Sequence, residues 1–202
     1  MSPRRKIAES DPGSRVAILR AARALVLKHG HERLSLREVA RRAGFSPASL
    51  YEYFDGKADL LREVAVEANA GLRRALEEGA GRGRDARGRL VEVGLAYVGF
   101  AREHAEDFLL LFSRLPSKRR SSADAVAPQS AFRVLADAVA RAVDDGVLRA
   151  ATAADAEAIA YGLWAAAHGM AQLQLTHLAG FGADFERADR AVLEALVAGF
   201  QR

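Results

Sequence analysis

Residues 35–54 read SLREVARRAGFSPASLYEYF, which indicates two short helices joined by a tight turn. Ser35 and Glu38 have the spacing of a capping box, so the pattern predicts that the first helix begins directly after the serine. Gly44 favours the left-handed conformation that ends many helices. Ser46-Pro47 predicts the start of the second helix, because serine caps free N–H groups and proline fits the first helical position. This arrangement is typical of a helix-turn-helix motif.

The motif lies in the basic third of the chain. The 202 residues carry a net charge of +4, but residues 1–63 contain 13 Lys/Arg and 8 Asp/Glu, a net of +5, and residues 64–202 have a net of −1. A basic segment joined to a nearly neutral body is typical of a polyanion-binding module on a packed domain. We therefore expect double-stranded DNA as the partner, with the second helix of the motif in the major groove.

The remaining sequence predicts an all-α fold of about nine helices, because apolar residues recur at helical spacing and no period-2 alternation is sustained. In the first helix the inward positions are predicted to be Val16, Leu19, Ala22, Leu25 and Val26. Loops are predicted at Gly79–Gly88 and Pro116–Pro128. The first predicted helix begins near Asp11-Pro12 or at Ser14 and ends at His29-Gly30. The other predicted helices cover residues 36–43, 47–54, 57 to about 78, 88–104, 105–113, 129–145, 153–178 and 184–200.

Composition excludes several classes of function. Cysteine is absent, which removes disulfides, thiolate catalysis and Cys-ligated zinc. The five histidines show no His-x-x-x-His pair, and no nucleophile or paired acid–base set is evident, so we expect no metal, no cofactor and no enzyme activity. The basic N-terminus does not lead into an apolar run, and the longest apolar stretch, residues 158–171, is too short to cross a bilayer. We expect a cytoplasmic protein with no membrane partner.

Over residues 14–63 the chain resembles the DNA-binding domain of TetR-family transcriptional regulators. The resemblance rests on SLREVA at 35–40, AGFS at 43–46, LYEYF at 50–54 and KADLL at 57–61. It implies that eight residues contact DNA: Arg37, Ser46, Pro47, Ala48, Ser49, Tyr51, Tyr53 and Lys57.

Within this set, the resemblance implies that Pro47, Ala48 and Ser49 lie against base edges and that Lys57 binds a phosphate. Tyr53 stands where the family most often has histidine, and Glu52 places an acid beside it, so the base preference is not readable. Residues 1–13 are predicted to form a basic arm, in which Arg4, Arg5 and Lys6 either contact DNA or merely solubilise the chain.

Residues 64–202 are predicted to form an effector-binding and dimerisation domain. The string Trp164-x-x-x-His168-Gly169 resembles the WHG-type C-terminal domain of some TetR-family regulators. That resemblance implies a dimer interface formed by the last two helices, and the candidates for it are Leu163, Met170, Leu173, Val192, Leu196 and Phe200. Residues 156–175 are apolar around much of the helix and must be covered on most sides, by a second copy or by the core of a monomer.

The resemblance also implies an effector cavity. The candidate lining is Phe100, Phe108, Phe112, Phe132, Trp164 and His168, which favours a mostly apolar small molecule. Core packing is the alternative for the aromatic residues, and Trp164 and His168 could instead pack in the core or at the dimer interface.

Together these features predict a homodimeric, ligand-responsive regulator, a repressor released from a palindromic operator by its effector. The alternative is an effector-independent DNA-binding or adaptor protein of the same fold.

Overall fold

The computed structural model describes residues 12–112 and 130–201. This part of the chain contains nine α-helices and no strand, so the predicted all-α fold class is confirmed. The helices are α1 (Pro12–His29), α2 (Leu36–Ala43), α3 (Pro47–Tyr53), α4 (Lys57–Arg82), α5 (Ala86–Glu103), α6 (Ala105–Leu111), α7 (Ala131–Asp144), α8 (Ala153–Leu175) and α9 (Phe185–Gly199).

None of the helices in these two ranges is both long and apolar enough to span a membrane.

The described residues form two units. The first comprises residues 12–68 and 106–112, and the second comprises residues 69–105 and 130–201. The predicted domain boundary at residue 63 falls inside α4, which contributes to both units. Most of the predicted basic arm and the predicted loop Pro116–Pro128 lie outside the described residues.

The first unit is built around a core to which α1, α2, α3, α4 and α6 each contribute. Leu50 anchors α3 in this core, and Phe54, the residue directly after α3, is buried beside it. Leu110 of α6 belongs to the same cluster. In α1 the predicted inward position Val16 is wrong: its side chain is 50% exposed, and Ile18 is buried in the core instead. The buried members of the cluster are Ile18, Leu19, Ala21, Ala22, Leu25, Val26, Leu34, Val39, Ala40, Leu50, Phe54, Leu60, Leu61, Val64 and Leu110.

The start of α2 shows how a local sequence pattern can place a helix correctly and assign its cap wrongly. The helix begins after Ser35, as predicted, and the Ser35 carbonyl accepts the Val39 N–H at 3.0 Å. The Ser35 side chain, however, makes no cap hydrogen bond, so the predicted capping box is wrong. The Glu38 carboxylate lies 4.0 Å from Arg41 on the next turn of the helix.

The predicted loop at Gly79–Gly88 is also wrong over most of its length, because α4 continues to Arg82 and α5 already begins at Ala86. Gly79 lies where α4 and α5 cross: a Cβ added there would stand 2.6 Å from the Ala96 Cβ and 2.8 Å from the Glu92 carbonyl oxygen. Glycine at this position therefore marks a close helix crossing and not the predicted loop.

In the second unit α5 is the central helix and packs against α7, α8 and α9. Half of its residues are buried, including Tyr97 and Phe100. Its start is fixed by Asp85, whose carboxylate accepts a hydrogen bond from the Gly88 N–H at 2.6 Å. A complete capping box opens α8, where Thr152 and Asp155 bond reciprocally. These caps set the register in which α5 and α8 present their side chains to the core.

Candidate nucleic-acid interface

The turn between α2 and α3 is held by backbone geometry. Gly44 has φ +81°, the left-handed region that glycine adopts without steric cost. Its N–H donates a hydrogen bond to the Arg41 carbonyl oxygen at 3.3 Å, and the Phe45 N–H donates one to the Ala40 carbonyl oxygen at 2.8 Å. This pair of bonds ends α2 and redirects the chain within two residues. The glycine that the sequence analysis placed in the turn therefore has the predicted role.

A serine cap fixes the start of α3. The Ser46 Oγ accepts the Ser49 N–H at 3.1 Å and lies 2.8 Å from the Ser49 Oγ, while Pro47 occupies the first turn. The two serine hydroxyls of the predicted contact set are thus already engaged with each other. A DNA group that approaches Ser49 meets a side chain whose orientation is set by the cap.

The faces of α3 differ sharply in exposure. Leu50 is 1% exposed and holds the helix to the core, whereas Tyr51, the next residue, is 59% exposed. The predicted contact residues Arg37, Ser46, Pro47 and Ala48 are also exposed, and Ser49 is half-buried. The structure therefore places most of the predicted set on the exposed surface of the motif.

Two predicted contact residues also hold the unit together. The Tyr53 ring is half-buried and packs edge-on against Phe45, with 6.2 Å between ring centroids. The Lys57 ammonium donates to the Glu32 carbonyl oxygen at 2.6 Å, which ties the start of α4 to the segment between α1 and α2. Any phosphate contact by Lys57 must compete with this bond or share it.

Two arginines in the first unit, Arg15 and Arg23, form contacts that their sequence patterns do not predict. Arg15 lies 2.7 Å from Glu63 and 5.0 Å above the Phe54 ring. Arg23 pairs with Glu67 of α4 and lies 3.0 Å from Asp107 of α6. Arg42, by contrast, is an exposed side chain. Spacing within one helix gives no signal for pairs such as these, whose partners lie more than 40 residues away.

The predicted effector-pocket residues fall into both units. Phe108 and Phe112 belong to the first unit, where their rings lie 4.9 Å apart. Phe100, Phe132, Trp164 and His168 belong to the second. Of these four, Phe100 contacts His104, with 5.0 Å between ring centroids.

The centre of the aromatic cluster in the second unit is Tyr97, which the sequence analysis did not single out. The Tyr97 ring lies 4.7 Å from Trp164 in an edge-to-face arrangement, and Phe132 lies 5.3 Å from the same indole. The Tyr97 hydroxyl is hydrogen-bonded to the His168 Nδ1 at 2.9 Å. Burial raises the pKa of Tyr97 and lowers the pKa of His168, so both groups are neutral near pH 7.

The predicted interface residues on α8 and α9 have mixed exposure. Leu163 is buried at 3% exposure and packs in the core of one chain, whereas Leu173 is 49% and Val192 is 45% exposed. Met170, Leu196 and Phe200 are half-buried. Two large apolar side chains that the sequence analysis did not select, Tyr161 and Phe181, are each 69% exposed on or beside α8.

Across residues 12–112 and 130–201, no group of three or more metal-ligating side chains is placed to hold a metal ion.

Comparison with known families gives matches in both halves of the chain. Residues 18–64 match the model for bacterial regulatory proteins of the tetR family, and residues 90–200 match the tetracyclin repressor-like C-terminal domain. Neither model specifies the WHG type. None of the curated proteins matches this sequence.

Solved structures share the fold over nearly the whole chain. A protein of unknown function from Rhodococcus sp. RHA1 is 26% identical, with a TM-score of 0.80 over 98% of this chain and 100% of that one. A TetR family transcription regulator from Marinobacter aquaeolei VT8 is 21% identical, with a TM-score of 0.77 over 96% and 99%. The fatty acid degradation regulator FadR from Bacillus halodurans is 13% identical, with a TM-score of 0.77 over 93% and 96%.

Proposed function

Because this chain belongs to the TetR family of bacterial transcription regulators, we propose that it is a homodimeric repressor that a small, mostly apolar effector releases from a palindromic operator. The observation that carries the DNA-binding part is the contrast along α3. Leu50 is buried, Tyr51 is 59% exposed, and the serine cap and Gly44 turn fix how the helix projects. A helix anchored on one face and exposed on the other is suited to lie in the major groove.

Charge supports the same surface. Exposed Arg37, Arg41 and Arg42 lie on α2, the helix that precedes the recognition helix, and the Arg41 side chain is 79% exposed. In a helix-turn-helix complex this first helix crosses the DNA backbone, where guanidinium groups bind phosphates. We therefore assign α2 to positioning and α3 to reading the base sequence.

Exposed apolar side chains support the proposed dimer. Tyr161, Leu173, Phe181 and Val192 leave large apolar groups in solvent on α8, α9 and the segment between them. Exposed apolar groups concentrated in one region of a chain are typical of an interaction surface. A second copy of the chain would cover them by symmetric packing of the same helices.

The proposed effector site rests on the aromatic cluster in the second unit. The Trp164 ring packs against both Tyr97 and Phe132, and the Tyr97–His168 pair is a neutral polar group beside these apolar rings. Apolar walls with one or two polar groups are typical of small-molecule sites. The proposed dimer has two conformations that differ in the distance between its recognition helices. A ligand that binds one conformation more tightly would shift the population towards it.

Footprinting and fluorescence anisotropy on the DNA that flanks the chain's own gene, against scrambled DNA over a salt series, test this function. We expect protection of a palindrome and a large specificity ratio. Tyr51→Ala should lower affinity for the protected site without unfolding the protein, since its side chain is exposed. Val66→Ala, at an exposed apolar position of α4 outside the proposed DNA-binding and dimer surfaces, is the control and should leave affinity unchanged. Equal and salt-steep binding to both DNAs would favour the non-specific alternative and contradict the operator proposal.

A further inference from the structure

The second unit contains a cleft that the regulator function does not use. It opens between the C-terminal end of α4, the N-terminal end of α5 and the outer face of α7, with a volume of about 420 Å³. Its lining includes four small residues: Ala80, Gly81, Gly83 and Ala138. Its walls carry four arginines and two acids, Arg73, Arg89, Arg133, Arg141, Glu77 and Asp137. The cleft lining therefore has a net charge of +2.

Two of these arginines are already neutralised by neighbours on their own helices. Arg73 lies 2.8 Å from Glu77 on α4, and Arg133 lies 2.8 Å from Asp137 on α7. These pairs account for both acids of the cleft lining.

Arg89 and Arg141 keep their charge uncompensated. Within the two described ranges neither guanidinium forms an ion pair. The carboxylate four residues before Arg89 belongs to Asp85, which is engaged in capping α5 at the Gly88 N–H. The carboxylate four residues after Arg141 belongs to Asp145, and it forms no ion pair with that arginine. Two unpaired guanidinium groups thus face one small cleft.

Gly83, one of the lining residues, allows a close approach between the end of α4 and the start of α5. A Cβ added at Gly83 would stand 2.3 Å from the backbone N of Arg89, so any larger residue would push the start of α5 away from the end of α4. The four small residues contribute few side-chain atoms to the lining, so the polar groups of the cleft are those of its arginines and acids. A volume of this size fits a small organic molecule.

We propose that this cleft binds a small phosphate ester, with Arg89 and Arg141 as its principal ligands. A phosphate monoester carries close to two negative charges at neutral pH, which matches the two uncompensated guanidinium groups. Guanidinium groups bind phosphate through paired, charge-assisted hydrogen bonds. The cleft is separate from the aromatic cluster: along α5, Arg89 precedes Tyr97 by eight residues, about 12 Å of helix.

Titration of the full-length protein with inorganic pyrophosphate and with glycerol 3-phosphate, at constant ionic strength, tests the proposal by isothermal calorimetry. We expect saturable binding at one site per chain. Arg89→Gln and Arg141→Gln should each weaken that binding by about tenfold or more, because each removes a charged hydrogen bond. Arg187→Gln changes an arginine that is 88% exposed on α9 and should leave it unchanged.

The basic DNA-binding unit also attracts anions, so the variants decide where binding occurs. Pyrophosphate binding that persists in the Arg89→Gln/Arg141→Gln double variant, with circular dichroism showing an intact fold, would place the anion elsewhere and overturn the proposal. Heat signals equal to those of sodium chloride at matched ionic strength would overturn it too, because they would reflect only screening of surface charge.

Discussion

Asp189 of α9 is a buried carboxylate with 4% exposure, hydrogen-bonded through both oxygens to the Gln174 amide nitrogen at 3.0 Å. Burial raises its pKa above the usual 3.8, although the Gln174 hydrogen bond and the charge of Arg102 act in the opposite direction. Between the usual and the raised value, the folded chain holds a proton that the unfolded chain has released. The free energy of unfolding contributed by this group therefore falls as pH rises through that window.

Asp189→Asn should increase the free energy of unfolding at neutral pH and abolish this dependence. Urea unfolding at a series of pH values measures the effect, and the difference from the parent should shrink towards zero by about pH 3. Glu194→Gln, at an exposed position of the same helix, should show no such trend. Lower stability of the Asn variant at neutral pH would mean that the buried charge is net stabilising.

Lys57 combines a structural bond with the proposed phosphate contact, and the two roles have different readouts. Lys57→Ala should reduce the slope of log affinity against log salt concentration by about one, for operator and scrambled DNA alike. Loss of the bond to the Glu32 carbonyl should also lower the free energy of unfolding by about 1 kcal/mol. Anisotropy over a salt series and urea unfolding measure the two effects. An unchanged salt slope together with lower stability would mean that Lys57 has only the structural role. Arg187→Ala, which removes an exposed arginine from α9, is the control for the loss of a surface charge.

Tyr97 and His168 show what residue-level reading of the sequence misses. His168 was predicted to line a site, but its hydrogen-bond partner is 71 residues away in the chain. Tyr97 lies in an apolar helical run and is not among the predicted site residues. Its ring is buried, and only the packing of α5 against α8 reveals the partner of its hydroxyl.

At the scale of elements, the crossing of α4 and α5 at Gly79 leaves no room for a larger side chain. Gly79→Ala would place a methyl group against backbone and Cβ atoms of α5, which cannot move without shifting that helix. We expect it to lower the free energy of unfolding by about 1–3 kcal/mol, the usual cost of overpacking. Thermal or urea unfolding measures the change.

Gly81→Ala is the matched control, two residues later in the same helix and in open space. Because alanine favours helix over glycine by up to about 1 kcal/mol, this variant should be neutral or more stable. Equal effects of the two substitutions would show that α4 and α5 adjust to the added methyl group.

Elements with strong local signals were predictable, and elements fixed by distant contacts were not. Gly44 and Ser46-Pro47 bounded α2 and α3 correctly because the turn and the serine cap depend on neighbours in sequence. Gly79 was misread because glycine in a loop and glycine at a helix crossing look identical in sequence. Ser35 has the spacing of a capping box, yet its side chain makes no cap bond.

At the scale of the whole molecule, the proposed dimer predicts which substitutions separate assembly from folding. Two substitutions test this, Leu173→Glu and Val192→Glu. Each changes a residue that is about half exposed in one chain, so the chain should still fold. In the dimer, each variant would place one glutamate from each copy in the interface, where the like charges repel. Sedimentation velocity should show a shift from dimer to monomer, and operator affinity should fall because the two recognition helices are no longer linked. Val66→Glu, an equally exposed apolar position on α4, should leave the sedimentation coefficient unchanged. A dimer that persists in both variants would place the interface elsewhere.

The first unit is assembled from two separate stretches of the chain. Asp107 lies beside Arg23, and Leu110 completes the core formed by α1–α4, although both residues come from α6. A chimera that grafts only the N-terminal 68 residues onto another regulator would therefore lack an ion-pair partner and one apolar core residue. An exchange of the DNA-binding unit between two such proteins must therefore include residues 106–112 as well as the N-terminal segment. The gene segments that encode one stable DNA-binding unit are not contiguous.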